Sequence, residues 1–164
     1  MMRKFVWGFL GFVLLYVASC KKESGCGYSY QNITVAASEQ KAVKAYLDSN
    51  GIYALKDSSG MYYQLVQGGT GTSAASLCSQ IEVTYTGKLT SGQVFEQKST
   101  AFTLGSSIEG LKIGIPMIKK GGRVILYIPP SLAYGSSEVK DQSGKVVIPA
   151  NSILIFDITL TNFE

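Results

Sequence analysis

Residues 83–96, VTYTGKLTSGQVFE, bring a phenol, a benzyl ring and a carboxylate close together. Tyr85 lies in one apolar-alternating run, Phe95 and Glu96 lie in the next, and Thr90-Ser91-Gly92 between them has hairpin composition. Folded back on one another, the two runs present either ordinary sheet residues or the walls of an aromatic site with a carboxylate at its edge. The chemistry open to such a site is narrow. The chain has no histidine, which removes Ser-His-Asp and Cys-His nucleophilic arrangements and every histidine-based metal site. Its cysteines are too few for a four-thiolate zinc site, and neither GxxxxGK(S/T) nor a strand-linked GxGxxG occurs. An enzyme built on this chain must run a reaction that needs no strong base, nucleophile, metal or nucleotide.

The elements that must hold these side chains are mostly strands. With 164 residues the chain is long enough for one domain and an appendage. Strand patterns run over residues 61–66, 81–87, 94–98, 101–104, 123–128 and 152–162. Ile81, Val83 and Tyr85 share one face while Glu82, Thr84 and Thr86 share the other, so this strand should have one buried and one wet side. Leu154, Phe156, Ile158 and Leu160 form a second apolar stripe, with Asp157, Thr159 and Thr161 opposite. Between residues 108 and 118, Ile108, Leu111, Ile115 and Ile118 recur at helical spacing, and Pro116 should distort the last turn. The fold class is therefore α+β, a twisted antiparallel sheet wrapped around one short helix. Upstream, residues 38–59 should hold a helix N-capped by Ser38, with Ala42, Val43, Tyr46 and Leu47 on one face and Asn50-Gly51 as its stop.

The N-terminus points to export. Arg3 and Lys4 precede an uncharged apolar run of 15 residues, 5–19, which has signal-peptide length and is short for a bilayer span. Val17-Ala18-Ser19-Cys20 resembles a bacterial lipobox, which implies cleavage after residue 19 and lipidation at Cys20. An ordinary signal peptide or a retained helical anchor are the alternatives. Residues 20–37 would then be a flexible tether, holding the domain to the cell envelope without spanning it, with the outer membrane, facing the periplasm or the cell surface, the favoured location. Setting Arg3 and Lys4 aside leaves 13 basic residues against 11 acidic ones, which is no nucleic-acid footprint. With Cys20 lipidated, Cys26 and Cys78 remain. They either pair, contributing roughly 4 kcal/mol by loop entropy, or stay as two thiols.

Taken in order, VTYTGKLTSGQVFE, FTLG, IEGLKIGIPMIKKGGRVILYIPPSLAYG and VIPANSILIFDITL closely resemble the catalytic domain of the FKBP-type peptidyl-prolyl cis-trans isomerases, over about residues 60–164. The resemblance implies a half-wrapped sheet whose aromatic pocket receives an X-Pro bond. It implies catalytic roles for Tyr85, Phe95, Glu96, Ile108, Tyr134 and Phe156, with the Ile108 N–H and the Tyr134 hydroxyl as donors to the substrate carbonyl. Phe102, Ser107, Leu111, Val147 and Ile148 would contact substrate. It further implies a monomer that needs no cofactor, acts on proline-containing unfolded or exported polypeptides, and binds macrolide inhibitors.

Four departures from the family pattern bear on activity. Glu96 stands where aspartate is usual, and Leu111 where the pocket floor usually carries tryptophan. The segment 98–101 is short, and 136–146 is longer than in a minimal domain. The leading expectation is a membrane-tethered isomerase. The alternative is a chaperone module that binds proline segments with weak or no turnover, and a structural envelope lipoprotein is a third reading.

Overall fold

A computed structural model describes residues 25–164. The expected signal segment 1–19 and Cys20 lie outside the described residues. Among those described, no helix is long and apolar enough to cross a membrane.

Six antiparallel strands form one sheet in the order β1-β2-β5-β8-β3-β4. They are β1 (Leu55–Lys56), β2 (Tyr62–Gln67), β3 (Gln80–Leu89), β4 (Val94–Thr103), β5 (Arg123–Ile128) and β8 (Leu154–Phe163), while β6 (Val139–Lys140) and β7 (Val146–Ile148) make a separate small hairpin. The expected α+β class is the observed one. The period-two stripes do what their spacing dictates: Ile81 and Val83 of β3 and Leu154, Phe156, Ile158 and Leu160 of β8 all enter the main core. The two strands expected over 94–98 and 101–104 are a single strand, β4, because the polar residues between them still pair with β3. Thr84 and Ser99 share a hydroxyl hydrogen bond of 2.7 Å there.

The concave face of the sheet holds α2 (Glu109–Gly114), followed by a 3-10 turn at Ile115–Met117. Pro116 has no amide hydrogen to continue the α ladder, so the helix expected over 108–118 tightens at that residue. Gly110 and Gly114, one turn apart, let α2 sit directly on β5. A Cβ at these positions would lie 2.5 Å from Ile128 Cγ2 and 2.3 Å from Leu126 Cδ1. Leu111, Ile115 and Ile118 are buried in the core.

Three expectations are corrected upstream. Helix α1 (Ala37–Ser49) starts one residue before Ser38, and its N-cap position, Ala36, supplies no side-chain bond. The helix is fixed by packing instead. Val43 and Leu47 bury against Tyr62, Tyr127 and Ile155 on the convex side of the sheet, so that side is not uniformly wet. The segment expected as a flexible tether is, over 25–36, laid against the domain as a strap. Cys26 is disulfide-bonded to Cys78, the Gln31 N–H donates to Glu109 Oε1 at 3.1 Å, and Val35 joins the main core. Beneath the strap Lys112 Nζ pairs with Glu109 Oε2 at 2.8 Å, both side chains under a tenth exposed.

Candidate functional site

Between the concave face of the sheet, the N-terminal end of α2 and the loop after β5 lies a cavity of about 330 Å³. Strand pairing sets its aromatic side. Gly87 of β3 is opposite Phe156 of β8 and Glu96 of β4, and Tyr85, two residues earlier, shares its face of the sheet. The Tyr85 and Phe156 rings sit 5.6 Å apart between centroids at 51°, and the Phe95 ring meets Phe156 edge-on at the same separation. These tilted and edge geometries are the favoured ones for aromatic pairs. Gly87 makes the cluster possible, since a Cβ there would lie 2.5 Å from Phe95 Cζ and 3.2 Å from Phe156 Cε1.

One wall is polar. Tyr85 Oη donates to Glu96 Oε2, and Lys98 Nζ pairs with Glu96 Oε1. Partial burial works against the Glu96 charge, but the hydrogen bonds from Lys98 and Tyr85 and the nearby ammonium outweigh it and hold the carboxyl below its ordinary range. Burial, the hydrogen bond to Glu96 and its negative charge push the Tyr85 phenol well above the usual tyrosine value. Burial, then Glu96, also raises Tyr134, with Lys98 opposing. Both phenols therefore stay protonated donors at neutral pH.

Opposite, Ser107 Oγ donates to Leu104 O at 2.7 Å and fixes the bend into α2. Ile108 is the N-cap, in extended backbone (φ −63°, ψ 153°). Neither the Ile108 N–H nor the Tyr134 hydroxyl has a hydrogen-bond partner among the described residues. Such groups at a cavity wall are free to serve a bound carbonyl.

The structure thus brings Tyr85, Glu96, Phe102, Ser107, Ile108, Leu111, Tyr134 and Phe156 around one cavity. It places Phe95, Val147 and Ile148 elsewhere. They line an adjoining cavity of about 220 Å³ that shares Glu96 and Tyr134 with the first and is also lined by Val139. The reason is the β6–β7 hairpin, which folds the long 136–146 segment back so that Val147 and Ile148 stand beside the main pocket. Sequence reasoning overlooked Ser106, Gly87 and Lys98. The Gly in V-T-Y-T-G, two residues after Tyr85 on a strand face, was a signal for Gly87, whereas Lys98 follows only from its pairing opposite Tyr85. Among the described residues no cluster of three or more metal-ligating side chains occurs.

Comparison with known proteins agrees with this geometry. The family model described as FKBP-type peptidyl-prolyl cis-trans isomerase matches residues 71–161, and the chain belongs to that family. It is 36% identical over 127 residues to a protein of Buchnera aphidicola subsp. Schizaphis graminum named FKBP-type peptidyl-prolyl cis-trans isomerase FkpA, covering 74% of this chain and 47% of that one. The FkpA of Escherichia coli strain K12 is 39% identical over 112 residues, 65% of this chain and 39% of its own length. The chain therefore spans less than half the length of these curated relatives. Among solved structures, E. coli FkpA superposes with a TM-score of 0.65 at 33% identity, covering 79% of this chain and 61% of that one. AtFKBP13 gives 0.62 at 31% identity, covering 68% and 99%.

Proposed function

We propose that this protein is a prolyl cis-trans isomerase acting on proline-containing segments of unfolded or exported polypeptides. The observation that carries the reading is the aromatic cavity at whose walls two donors, the Ile108 N–H and the Tyr134 hydroxyl, lack partners of their own among the described residues. Rotation about an X-Pro bond faces a barrier of ~18–20 kcal/mol and takes tens to hundreds of seconds unaided. Shortening it to about 10 ms means lowering that barrier by roughly 5–6 kcal/mol, and one hydrogen bond worth ~1 kcal/mol net is not enough. The walls formed by Tyr85, Phe156, Ile108 and Leu111 lower the barrier by desolvation. A twisted amide is less polar than a planar one and loses less on leaving water, so it is bound preferentially. Tyr134 and Ile108 then hold the carbonyl while the prolyl side turns. No proton leaves or reaches carbon, which suits a chain with no histidine.

The test is cis-to-trans relaxation of a proline tetrapeptide with the full-length chain in detergent micelles; a folded protein that gives no acceleration sinks the reading. Leu111 in place of an indole favours a second reading, a proline-segment-binding module with little turnover. Leu111→Trp separates the two, because a large gain from near zero supports the binding module. For location we propose a cell-envelope lipoprotein held at Cys20. Incorporation of labelled fatty acid that survives Cys20→Ser would contradict this.

A further inference from the structure

Glu39 lies outside the cavity, yet it ties α1 to the loop that carries Tyr134. That loop begins Pro129-Pro130, and neither proline has an amide hydrogen. Within it the Leu132 N–H donates to Pro129 O at 3.0 Å, and the Ala133 and Gly135 N–H groups donate to Pro130 O at 2.9 and 2.8 Å. Ser131 is the first residue of the 3-10 turn Pro130–Leu132 with an amide hydrogen, and no carbonyl of the turn accepts it. Glu39 Oε2 does so instead, taking the Ser131 N–H at 3.1 Å and the Ser131 hydroxyl at 2.7 Å across 92 residues of sequence. A carboxylate is the strongest acceptor available for this task. Glu39 is itself held by α1, which Val43 and Leu47 fix to the sheet. Tyr134, three residues beyond Ser131 and with no partner for its hydroxyl among the described residues, has its loop moored there.

We propose that Glu39 is a positioning residue for Tyr134, setting the donor's place by capping the turn before it and making the N-terminal helix a working part of the site. This rests on the isomerase reading above, since it assigns a use to the position of the hydroxyl. Placement errors of about an ångström cost catalysis heavily. In full-length protein in detergent, Glu39→Ala should lower kcat/KM about three- to tenfold and Glu39→Gln, which keeps an acceptor, less. In a Tyr134→Phe background Glu39→Ala should cost nothing further, whereas a merely structural role gives the same loss in both backgrounds. Equal losses in the two backgrounds would overturn the proposal. Independently of turnover, amide exchange at Ser131 should quicken by about an order of magnitude in Glu39→Ala while β5 amides hold their rates; an unchanged Ser131 overturns it as well. If the wild type does not accelerate relaxation, the isomerase reading fails by itself. Proline-peptide affinity then decides, supporting the proposal if Glu39→Ala weakens it only when the Tyr134 hydroxyl is present, and overturning it otherwise.

Discussion

At the residue scale, the walls of the cavity depend on what Gly87 lacks. Its missing side chain is the space into which the Phe95 ring edge fits, and Phe156 packs on the result. Gly87→Ala should therefore move both rings, destabilise the fold by about 1–3 kcal/mol through overpacking, and reduce kcat/KM by roughly tenfold; urea unfolding and tetrapeptide relaxation read the two effects. Glu96 and the two phenols make a separate prediction. The carboxyl is held below its ordinary value, so its stabilising contribution is present above the unfolded value of about 4.3 and is lost as pH falls through the lower folded value. Tyr85 and Tyr134 are shifted the other way, so their protonated forms persist through the ordinary tyrosine range near pH 10 and are lost only above it. With no histidine to titrate between, kcat/KM should be level from about pH 5.5 to 8.5. A bell centred near neutrality would show that a titrating group takes part.

At the element scale, α2 is fixed from both sides, by glycine contacts with β5 and by the strap above. The Glu109–Lys112 pair lies between α2 and the strap, and the strap contributes the Gln31 N–H to Glu109 and the Ser29 carbonyl to Lys112. Breaking one half leaves a buried charge, so Lys112→Met should cost about 3–5 kcal/mol in urea unfolding at pH 7. Adding Glu109→Gln should recover much of that loss, since a buried pair contributes little beyond an apolar replacement of similar size. This pair was not legible in the sequence, where Glu109 and Lys112 look like an exposed i,i+3 pair; only tertiary covering buries them. The main strands were legible because alternation in Ile81, Val83, Tyr85 and in Leu154, Phe156, Ile158 is imposed by the sheet itself. The β6–β7 hairpin was not. Its runs are two and three residues long, and its turn depends on the Asp141 carboxylate accepting from the Ser143 and Lys145 amides. The family motifs named most of the cavity wall, but which cavity takes Phe95, Val147 and Ile148 depends on how that hairpin folds back.

At the scale of the whole molecule, residues ahead of the family domain are attached in two independent ways. Helix α1 holds the convex side of the sheet through Val43 and Leu47, while the strap is stapled to the loop before β3 by Cys26–Cys78. The disulfide closes a 52-residue separation, which by loop entropy contributes about 4 kcal/mol and belongs with an oxidising compartment such as the proposed cell envelope. Cys26→Ser/Cys78→Ser should thus lower the melting temperature by roughly 10–20 °C. Its local effect follows from where the strap lies, over Gly105, Glu109 and Lys112. Amide exchange should rise over residues 27–33 and 104–112, the stretch that includes Ser107 and Ile108, while α1 stays protected because none of its anchors passes through the disulfide. Exchange of α1 in step with the strap would show that the two attachments form one cooperative unit.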